Sequence, residues 1–208
     1  MIQYGHFIGG KNVAGKSGRT ADVFQPMDGT VRAKVALASA AELKEAVANA
    51  KTAQVAWGAT NPQRRARVMM KFYELIVAHT NELADILARE HGKTVSDAKG
   101  DIQRGIEVLE FSFGVPHLMK GEYSDGVGPG IDTYSMRQPL GVVAGITPFN
   151  FPAMIPLWKL APAIACGNAF ILKPSERDPG VPMRLVHVRV GQDHHVVLGA
   201  AEALHPFS

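Results

Sequence analysis

The sequence has little of several features that define common classes of protein. It contains a single cysteine, which excludes an internal disulfide framework and suits a reducing compartment. Nowhere does it approach the roughly 18 consecutive apolar residues that a membrane-spanning helix requires. An excess of one charge is also absent, because 22 basic and 19 acidic side chains leave a formal net charge of +3. These absences favour a globular protein that uses neither disulfides nor a membrane.

One short segment concentrates basic residues, namely Arg64, Arg65 and Arg67 at the start of a predicted amphipathic helix. Nucleic-acid patches interleave such charges with aromatic side chains, and this segment has none. We therefore interpret the three arginines as a solvated helix face and expect no nucleic-acid partner.

The N-terminal residues are basic and lack acids, as transit peptides do. Residues 7–12, however, have the pattern of a short strand that breaks into a glycine-rich turn, which is not an amphipathic helix. We therefore expect an unprocessed chain in the cytoplasm.

Helical periodicity dominates the first half of the chain. Ser39 and Glu42 have the spacing of a capping box, which predicts a helix to about residue 57. Asn61-Pro62 predicts the start of a longer helix that reaches residue 91, with a break near residue 79. A third helix is predicted over residues 96–118, with a buried stripe made of Ile102, Ile106, Leu109 and Phe113.

The pattern becomes extended after residue 120. Glycines and a proline at 126–130 separate residues 122–127 from 131–137, and these flanks are predicted to be paired strands. The apolar run at 140–146 is typical of a buried parallel strand. A helix over 153–165 and a second buried strand over 169–172 follow, which together predict one βαβ unit of a parallel sheet.

Two segments follow these two strands, where open α/β sheets bind their ligands. The first, Ile146-Thr147-Pro148-Phe149-Asn150-Phe151-Pro152, holds a lone asparagine between two phenylalanines in a turn stiffened by prolines. Taken alone, Asn150 is more readily explained as a cap for the next helix than as a catalytic group. In the second, Leu172-Lys173-Pro174-Ser175-Glu176, the lysine and glutamate could hold ribose hydroxyls or form only a weak surface ion pair.

In combination the segments carry a specific resemblance. Together with Ala165-Cys166-Gly167-Asn168 between them, they closely resemble the run of motifs that marks the aldehyde dehydrogenase superfamily. The resemblance covers about residues 1–185 and implies the N-terminal part of that α/β fold. Helices are then followed by a strand pair and an incomplete parallel βαβ dinucleotide-binding sheet. Most members of the superfamily carry tryptophan where this chain has Phe149. With this phenylalanine and the residues around it, the chain resembles the CoA-acylating methylmalonate-semialdehyde dehydrogenases.

The resemblance implies roles for individual residues. Asn150 matches the asparagine whose amide stabilises the oxyanion formed when a cysteine thiolate attacks the aldehyde. Lys173 and Glu176 match the residues that hold the adenosine ribose, and the carboxylate favours NAD over NADP because it repels a 2′-phosphate. The remaining cofactor contacts are expected from Ile146, Thr147, Pro148, Phe149 and Ser175, with CoA as co-substrate and no metal.

Arg104 is the candidate for substrate selection. It matches an arginine that this subfamily directs at the carboxylate of its semialdehyde, and a guanidinium suits bidentate carboxylate binding. Asp101 and Glu107 lie three residues to either side, however, so Arg104 could equally stabilise only a helix face. The sequence supports the two interpretations equally.

The single cysteine marks a departure from the family pattern. Cys166 stands in an apolar context that predicts an inert core thiol. No segment of the chain matches the family's nucleophilic cysteine, its general-base glutamate or its glycine motif near the pyrophosphate. We therefore expect impaired cofactor binding and no activity from this chain by itself.

The C-terminal residues depart from the pattern as well. From Val186 onward, valines alternate with polar residues at a strand period, where the family pattern requires an amphipathic helix. We expect residues 186–208 not to belong to the fold, as a frameshift or a misread gene would produce. A metal site at His187, His194 and His195 is disfavoured because adjacent histidines seldom bind one ion.

Two hypotheses about function result. In the first, residues 1–185 are a partial NAD-binding domain of an NAD-dependent, CoA-acylating dehydrogenase of methylmalonate or malonate semialdehyde. In the second, the chain is a non-catalytic module. The strand pair near residues 121–138 lies where the family builds its homo-oligomer contacts, so the chain would then associate with intact subunits or with itself.

Overall fold

The computed structural model describes residues 1–187 and 197–198, in which five short strands precede five helices and further strands and helices follow. The strands are β1 (Ile2–Tyr4), β2 (His6–Ile8), β3 (Lys11–Val13), β4 (Thr20–Phe24), β5 (Val31–Ala36), β6 (Tyr123–Gly128), β7 (Ile131–Tyr134), β8 (Val142–Ile146), β9 (Ala169–Lys173) and β10 (Val197–Leu198). The helices are α1 (Ala40–Ala59), α2 (Pro62–Ala78), α3 (Thr80–His91), α4 (Val95–Ser112), α5 (Val115–Leu118), α6 (Met154–Ala165) and α7 (Gly180–His187).

The helices of the first half begin and end close to the predicted residues. The Ser39–Glu42 capping box is present at the start of α1, which confirms that prediction. The long second helix divides at His79 into α2 and α3, and α3 is followed by the C-cap Gly92, whose φ of 85° suits glycine.

The third predicted helix, over residues 96–118, is wrong in its length. Helix α4 ends at Ser112, and a separate short helix, α5, follows it. Pro116 explains the break, because it has no N–H to donate to the carbonyl of Ser112, four residues earlier. Phe113 is half-buried and meets the edge of the Tyr73 ring, with 5.6 Å between the ring centroids.

The predicted βαβ unit consists of β8, α6 and β9, and the two strands are parallel as expected. Among the described strands, β8 and β3 are the edges of one sheet with the order β3-β2-β10-β9-β8. Alternate residues of β9 pack toward α1 on one face and toward α6 on the other.

Of this pair only β9 is buried, over its first four residues. The prediction that residues 140–146 form a buried strand is wrong, because Leu140 is 89% and Ile146 63% exposed. The reason is position in the sheet, since β9 has strands on both sides and β8 has a described neighbour on one side only.

The largest core cluster joins α2, α3, α4 and α6. Helices α4 and α6 approach closely at Gly105, where an added Cβ would lie 2.4 Å from Leu157 Cδ1. The cluster is flanked by Arg65, which is 1% exposed, so the solvated-face interpretation is wrong for this arginine. Arg64 and Arg67 are exposed as predicted.

The segment at the C-terminal end of the family resemblance is helical where a strand was predicted. Helix α7 includes Val186 and His187, because local alternation is overridden by packing of α7 against α3. The prediction for residues 188–190 lies outside the described residues, as do His194 and His195. The division of the chain at residue 185 remains a prediction.

Two classes of feature are absent from the described residues. None of the helices there is long and apolar enough to span a membrane. No group of three or more metal-ligating side chains occurs in residues 1–187.

Candidate functional site

The two predicted ligand segments lie side by side. Ile146 at the end of β8 is paired with Lys173 at the end of β9, and the Thr147 N–H donates to the Lys173 carbonyl over 3.0 Å. Because parallel strands end at the same edge of a sheet, the turn after β8 and the turn after β9 share that edge. The parallel pairing therefore brings the asparagine turn next to the Lys173–Glu176 segment.

The main chain of Asn150 is held while its side chain is free. Its carbonyl accepts a hydrogen bond from Lys93 Nζ at 2.8 Å. The Asn150 side chain is exposed and makes no hydrogen bond with any described residue. Helix α6 has Ala153 as its N-cap, so the interpretation of Asn150 as a helix cap is wrong.

The residues that precede Asn150 differ in exposure. Thr147 is buried, and its hydroxyl has no hydrogen-bond partner among the described residues. Ile146, Pro148 and Phe149 are exposed, and the guanidinium of Arg177 lies 4.7 Å from the centroid of the Phe149 ring. The turn after β8 therefore presents apolar surface beside a cation from the turn after β9.

The turn after β9 contains a half-exposed ion pair. Lys173 Nζ lies 3.1 Å from Glu176 Oε2, with the glutamate side chain 46% exposed. Burial opposes ionisation of Glu176, but hydrogen bonds from its own backbone and from Lys173 outweigh it, so its pKa lies below the usual value. Ser175 is buried, and its hydroxyl oxygen accepts from the Arg177 N–H at 3.1 Å.

Arg104 lies on the exposed side of α4. Both carboxylate oxygens of Asp101 are occupied, one by the Met154 N–H at 2.7 Å and one by Lys93 at 3.2 Å. The Arg104 guanidinium forms no ion pair with Asp101, Glu107 or any other described residue. The interpretation of Arg104 as part of a helix-face ion pair is therefore wrong, and its charged group remains available to a ligand.

Lys93 and Asp101 are the residues of this region that the sequence pattern does not reveal. Both are among the few charged side chains here that are largely buried, at 15% and 1% exposure. No local motif marks them, because their partners Asn150 and Met154 are distant in sequence. Their approach depends on the packing of α4 against α6.

Cys166 has the environment of an inert thiol. It is half-buried and is the C-cap of α6. Burial raises its pKa, and the nearby charge of Arg65 only partly opposes that effect. A helix C-terminus also disfavours a thiolate, so Cys166 does not have the properties of a nucleophile.

Parallel strands flanked by α1 and α6, with polar turns at their C-terminal ends, are the architecture of an α/β protein that binds ligands at its strand ends. Residues 13–193 match the model of the aldehyde dehydrogenase family. The chain belongs to that family.

Within the family, the chain is similar to dehydrogenases of two related semialdehydes. The chain is 52% identical to malonate-semialdehyde dehydrogenase of Pseudomonas aeruginosa over 174 residues, which cover 84% of this chain and 35% of that protein. It is 49% identical to the acylating mitochondrial methylmalonate-semialdehyde dehydrogenase of Arabidopsis thaliana, with 88% of this chain and 30% of that protein covered.

A solved structure agrees with the fold over nearly the whole chain. A protein from Sinorhizobium meliloti 1021, described as a methylmalonate-semialdehyde dehydrogenase complexed with NAD, matches with a TM-score of 0.92 and 60% identity. The match covers 96% of this chain and 42% of that one. The expected α/β fold is confirmed, and the chain spans between 30% and 42% of the length of these relatives.

Proposed function

We propose that the chain supplies the cofactor-binding and oxyanion-stabilising part of an NAD-dependent, CoA-acylating dehydrogenase of malonate or methylmalonate semialdehyde. The observation that carries the proposal is the exposed, unbonded Asn150 carboxamide beside the Lys173–Glu176 pair. The malonate- and methylmalonate-semialdehyde dehydrogenases to which the chain is similar support the substrate class, and the NAD complex among them supports the cofactor.

In this function Asn150 acts on the carbonyl oxygen of the aldehyde. When a thiolate adds to the carbonyl carbon, negative charge develops on that oxygen, and an N–H of the carboxamide donates to it. Lys173 and Glu176 would hold the ribose hydroxyls of NAD, which when bound accepts the hydride. The thiol of CoA then attacks the acyl carbon of the thioester that remains, the first thiolate leaves, and acyl-CoA is released. Cys166 is not proposed as the thiolate because its burial favours the neutral thiol.

Arg104 is proposed as the carboxylate-binding residue for the semialdehyde. Its guanidinium is exposed and has no ion-pair partner among the described residues. Its carbonyl accepts from Trp158 Nε1 at 3.0 Å, which ties this turn of α4 to α6. A charged fork on a fixed helix turn suits the recognition of a carboxylate.

Glu176→Gln is expected to weaken NAD binding by the full 208-residue chain about tenfold, because a charge-assisted hydrogen bond to a ribose hydroxyl is lost. NADP binding should fall less, since the carboxylate that repels a 2′-phosphate is removed. Isothermal titration calorimetry with both cofactors measures the two affinities, with weak NAD binding expected for the unsubstituted chain.

Glu74→Gln is the matched control for that experiment. Glu74 on α2 pairs with Lys71 at 2.7 Å and the same spacing of three residues, away from the strand ends. It should leave both affinities unchanged. An NAD affinity that Glu176→Gln does not alter would refute the proposed cofactor contact.

A separate observation supports the alternative function, which is association with intact subunits. The hairpin formed by β6 and β7 presents large apolar side chains to solvent, with Val127 and Ile131 each 54% exposed. Isolated surface hairpins seldom expose such residues without a partner. We propose this hairpin as the subunit contact in that alternative.

Mixing the chain with the intact Pseudomonas aeruginosa relative is then expected to give heteromers in native mass spectrometry. Ile131→Asp should abolish them, because a carboxylate placed in an apolar interface is costly to desolvate. Val55→Asp, at an exposed apolar position on α1, is the control that should leave association intact. Absence of heteromers with the unsubstituted chain would eliminate the alternative.

A further inference from the structure

One buried ion pair reaches both ends of the segment that carries Asn150. Lys93, between α3 and α4, donates to the Asn150 carbonyl, and Asp101 on α4 accepts from the N–H of Met154, the first residue of α6. The two side chains are themselves joined, with 3.2 Å between Lys93 Nζ and Asp101 Oδ2. The segment from Asn150 to Met154 is therefore fixed at each end by the same pair.

Asp101 takes the place of a helix cap. The N-cap of α6, Ala153, has no side chain that can accept a hydrogen bond, and Asp101 satisfies the Met154 N–H from the neighbouring helix. A carboxylate is also favoured at a helix N-terminus by the helix dipole. The direction in which the chain enters α6 thus depends on a residue of α4.

Lys93 fixes the other end through two contacts. Besides its bond to the Asn150 carbonyl, its ammonium lies 4.1 Å from the centroid of the Phe151 ring. One contact is with the main chain of Asn150 and the other is with its neighbour Phe151, so neither uses the Asn150 carboxamide. The arrangement anchors the backbone of Asn150 and leaves its carboxamide without a hydrogen bond to any described residue.

We infer that Lys93 and Asp101 are positioning residues that orient the Asn150 carboxamide toward the developing oxyanion. This inference rests on the proposed function of Asn150. Oxyanion donors act through preorganisation, so a donor on an anchored backbone stabilises the charge without reorganising when it forms. The pair itself touches neither substrate nor cofactor in this proposal.

The test is nuclear magnetic resonance on the full chain, measuring amide hydrogen exchange of Met154 and the relaxation of the Asn150 side-chain amide. Lys93→Met is expected to lower the order of the carboxamide, because the hydrogen bond to the Asn150 carbonyl is lost. It should also increase Met154 exchange about tenfold, because Asp101, which accepts from the Met154 N–H, loses the cation that holds it in place. Lys93→Arg should restore most of both signals, since a guanidinium can bridge the same carbonyl and carboxylate. Asp101→Ala should expose the Met154 amide, and Asp101→Asn, which keeps an acceptor oxygen, should expose it less.

Internal and external controls separate positioning from general loss of structure. The carboxamide of Asn168, which donates to the Ala163 carbonyl at 2.9 Å, should keep its order in every variant. Lys34→Met, which breaks the Lys34–Asp22 pair between β5 and β4, should leave Met154 and Asn150 unaffected. Exchange that rises throughout the chain, or equal behaviour of the methionine and arginine variants at position 93, would overturn the inference.

The cofactor affinities distinguish this inference from the proposed function. Lys93→Met should change the NAD affinity by less than about twofold relative to the unsubstituted chain, because the Lys173–Glu176 pair keeps its own contacts. If Glu176→Gln also leaves NAD affinity unchanged while Lys93→Met loosens Asn150, the proposed function fails and the anchoring of the segment stands. If Asn150 is unaffected and Glu176→Gln weakens NAD, the positioning role fails alone.

Discussion

Replacement of Arg65 by methionine is expected to lower the free energy of unfolding by about 3–5 kcal/mol, because several buried carbonyls lose a charged donor at once. The guanidinium donates to the Ala165 carbonyl at 2.8 Å, at the end of α6. It also donates to the carbonyls of Gly58 and Thr60, at the end of α1. One side chain thus satisfies the C-terminal ends of two helices that flank β8 and β9.

Electrostatics explains why an arginine can be tolerated in this position. Burial lowers its pKa, yet the carbonyls around it carry the negative ends of two helix dipoles, which favour a cation. The ammonium group of a lysine is a compact point charge that cannot reach the ends of both helices as the planar guanidinium does. Arg65→Lys should therefore recover only part of the lost stability.

Chemical denaturation of the full chain followed by circular dichroism measures the effect. Arg64→Met and Arg67→Met change exposed neighbours on the same helix and should shift the stability by less than about 0.5 kcal/mol. A similar small shift for Arg65→Met would show that the buried guanidinium is dispensable.

Asp178→Asn is expected to stabilise the protein at high pH and to have much less effect at low pH. Asp178 is 3% exposed, and its Oδ1 has no hydrogen-bond partner among the described residues. Burial, reinforced by the charge of Glu90 and only partly opposed by Lys93, raises its pKa to about 8. The folded protein therefore prefers the neutral acid over most of the physiological range.

The sign of the pH dependence follows from this raised pKa. Between the ordinary aspartate pKa of 3.8 and about 8, the folded state holds a proton that the unfolded state has released. The free energy of unfolding therefore falls as pH rises through this window and levels off above it. The shift corresponds to an upper bound of about 5–6 kcal/mol. Asparagine cannot ionise, so the stability of the variant relative to the unsubstituted chain should grow across the same window.

Denaturation curves of both chains between about pH 3 and pH 9, which bracket the ordinary and the raised aspartate pKa, provide the measurement. Asp28 offers a control of opposite sign, because hydrogen bonds from the Thr30 hydroxyl and backbone amide lower its pKa. Asp28→Asn should therefore cost stability at neutral pH, and the cost should shrink on acidification below its usual pKa. A stability difference for Asp178→Asn that does not vary with pH would contradict an ionisable, buried carboxyl.

Much of the local structure was predictable from the sequence because the relevant contacts are close along the chain. The Ser39–Glu42 capping box and the break between α2 and α3 both depend on residues within a turn of one another. The βαβ unit was predictable for a related reason, since the hydrophobic periodicity and the lengths of its strands and helix can be read from consecutive residues. The adjacency of the two ligand turns then follows from parallel pairing alone.

The charged residues were the least predictable part of the site. Arg65, which resembles its solvated neighbours in sequence, is buried because its partners are carbonyls of two helix ends, one of them contributed by residue 165. Asn150 has the sequence of a helix cap, yet Asp101 from α4 takes that role and leaves the asparagine side chain free. In each case the deciding partner comes from a distant part of the chain.

The sequence by itself determined the family, the order of most helices and strands, and the two turns that carry Asn150 and the Lys173–Glu176 pair. Tertiary structure alone decided which charges are buried, which edge of β8 remains exposed and what holds the Asn150 backbone in place. The physical reason is the separation in sequence of the interacting residues. Local hydrogen bonding and periodicity depend on neighbouring residues, whereas desolvation and long-range hydrogen bonds depend on which helices pack together.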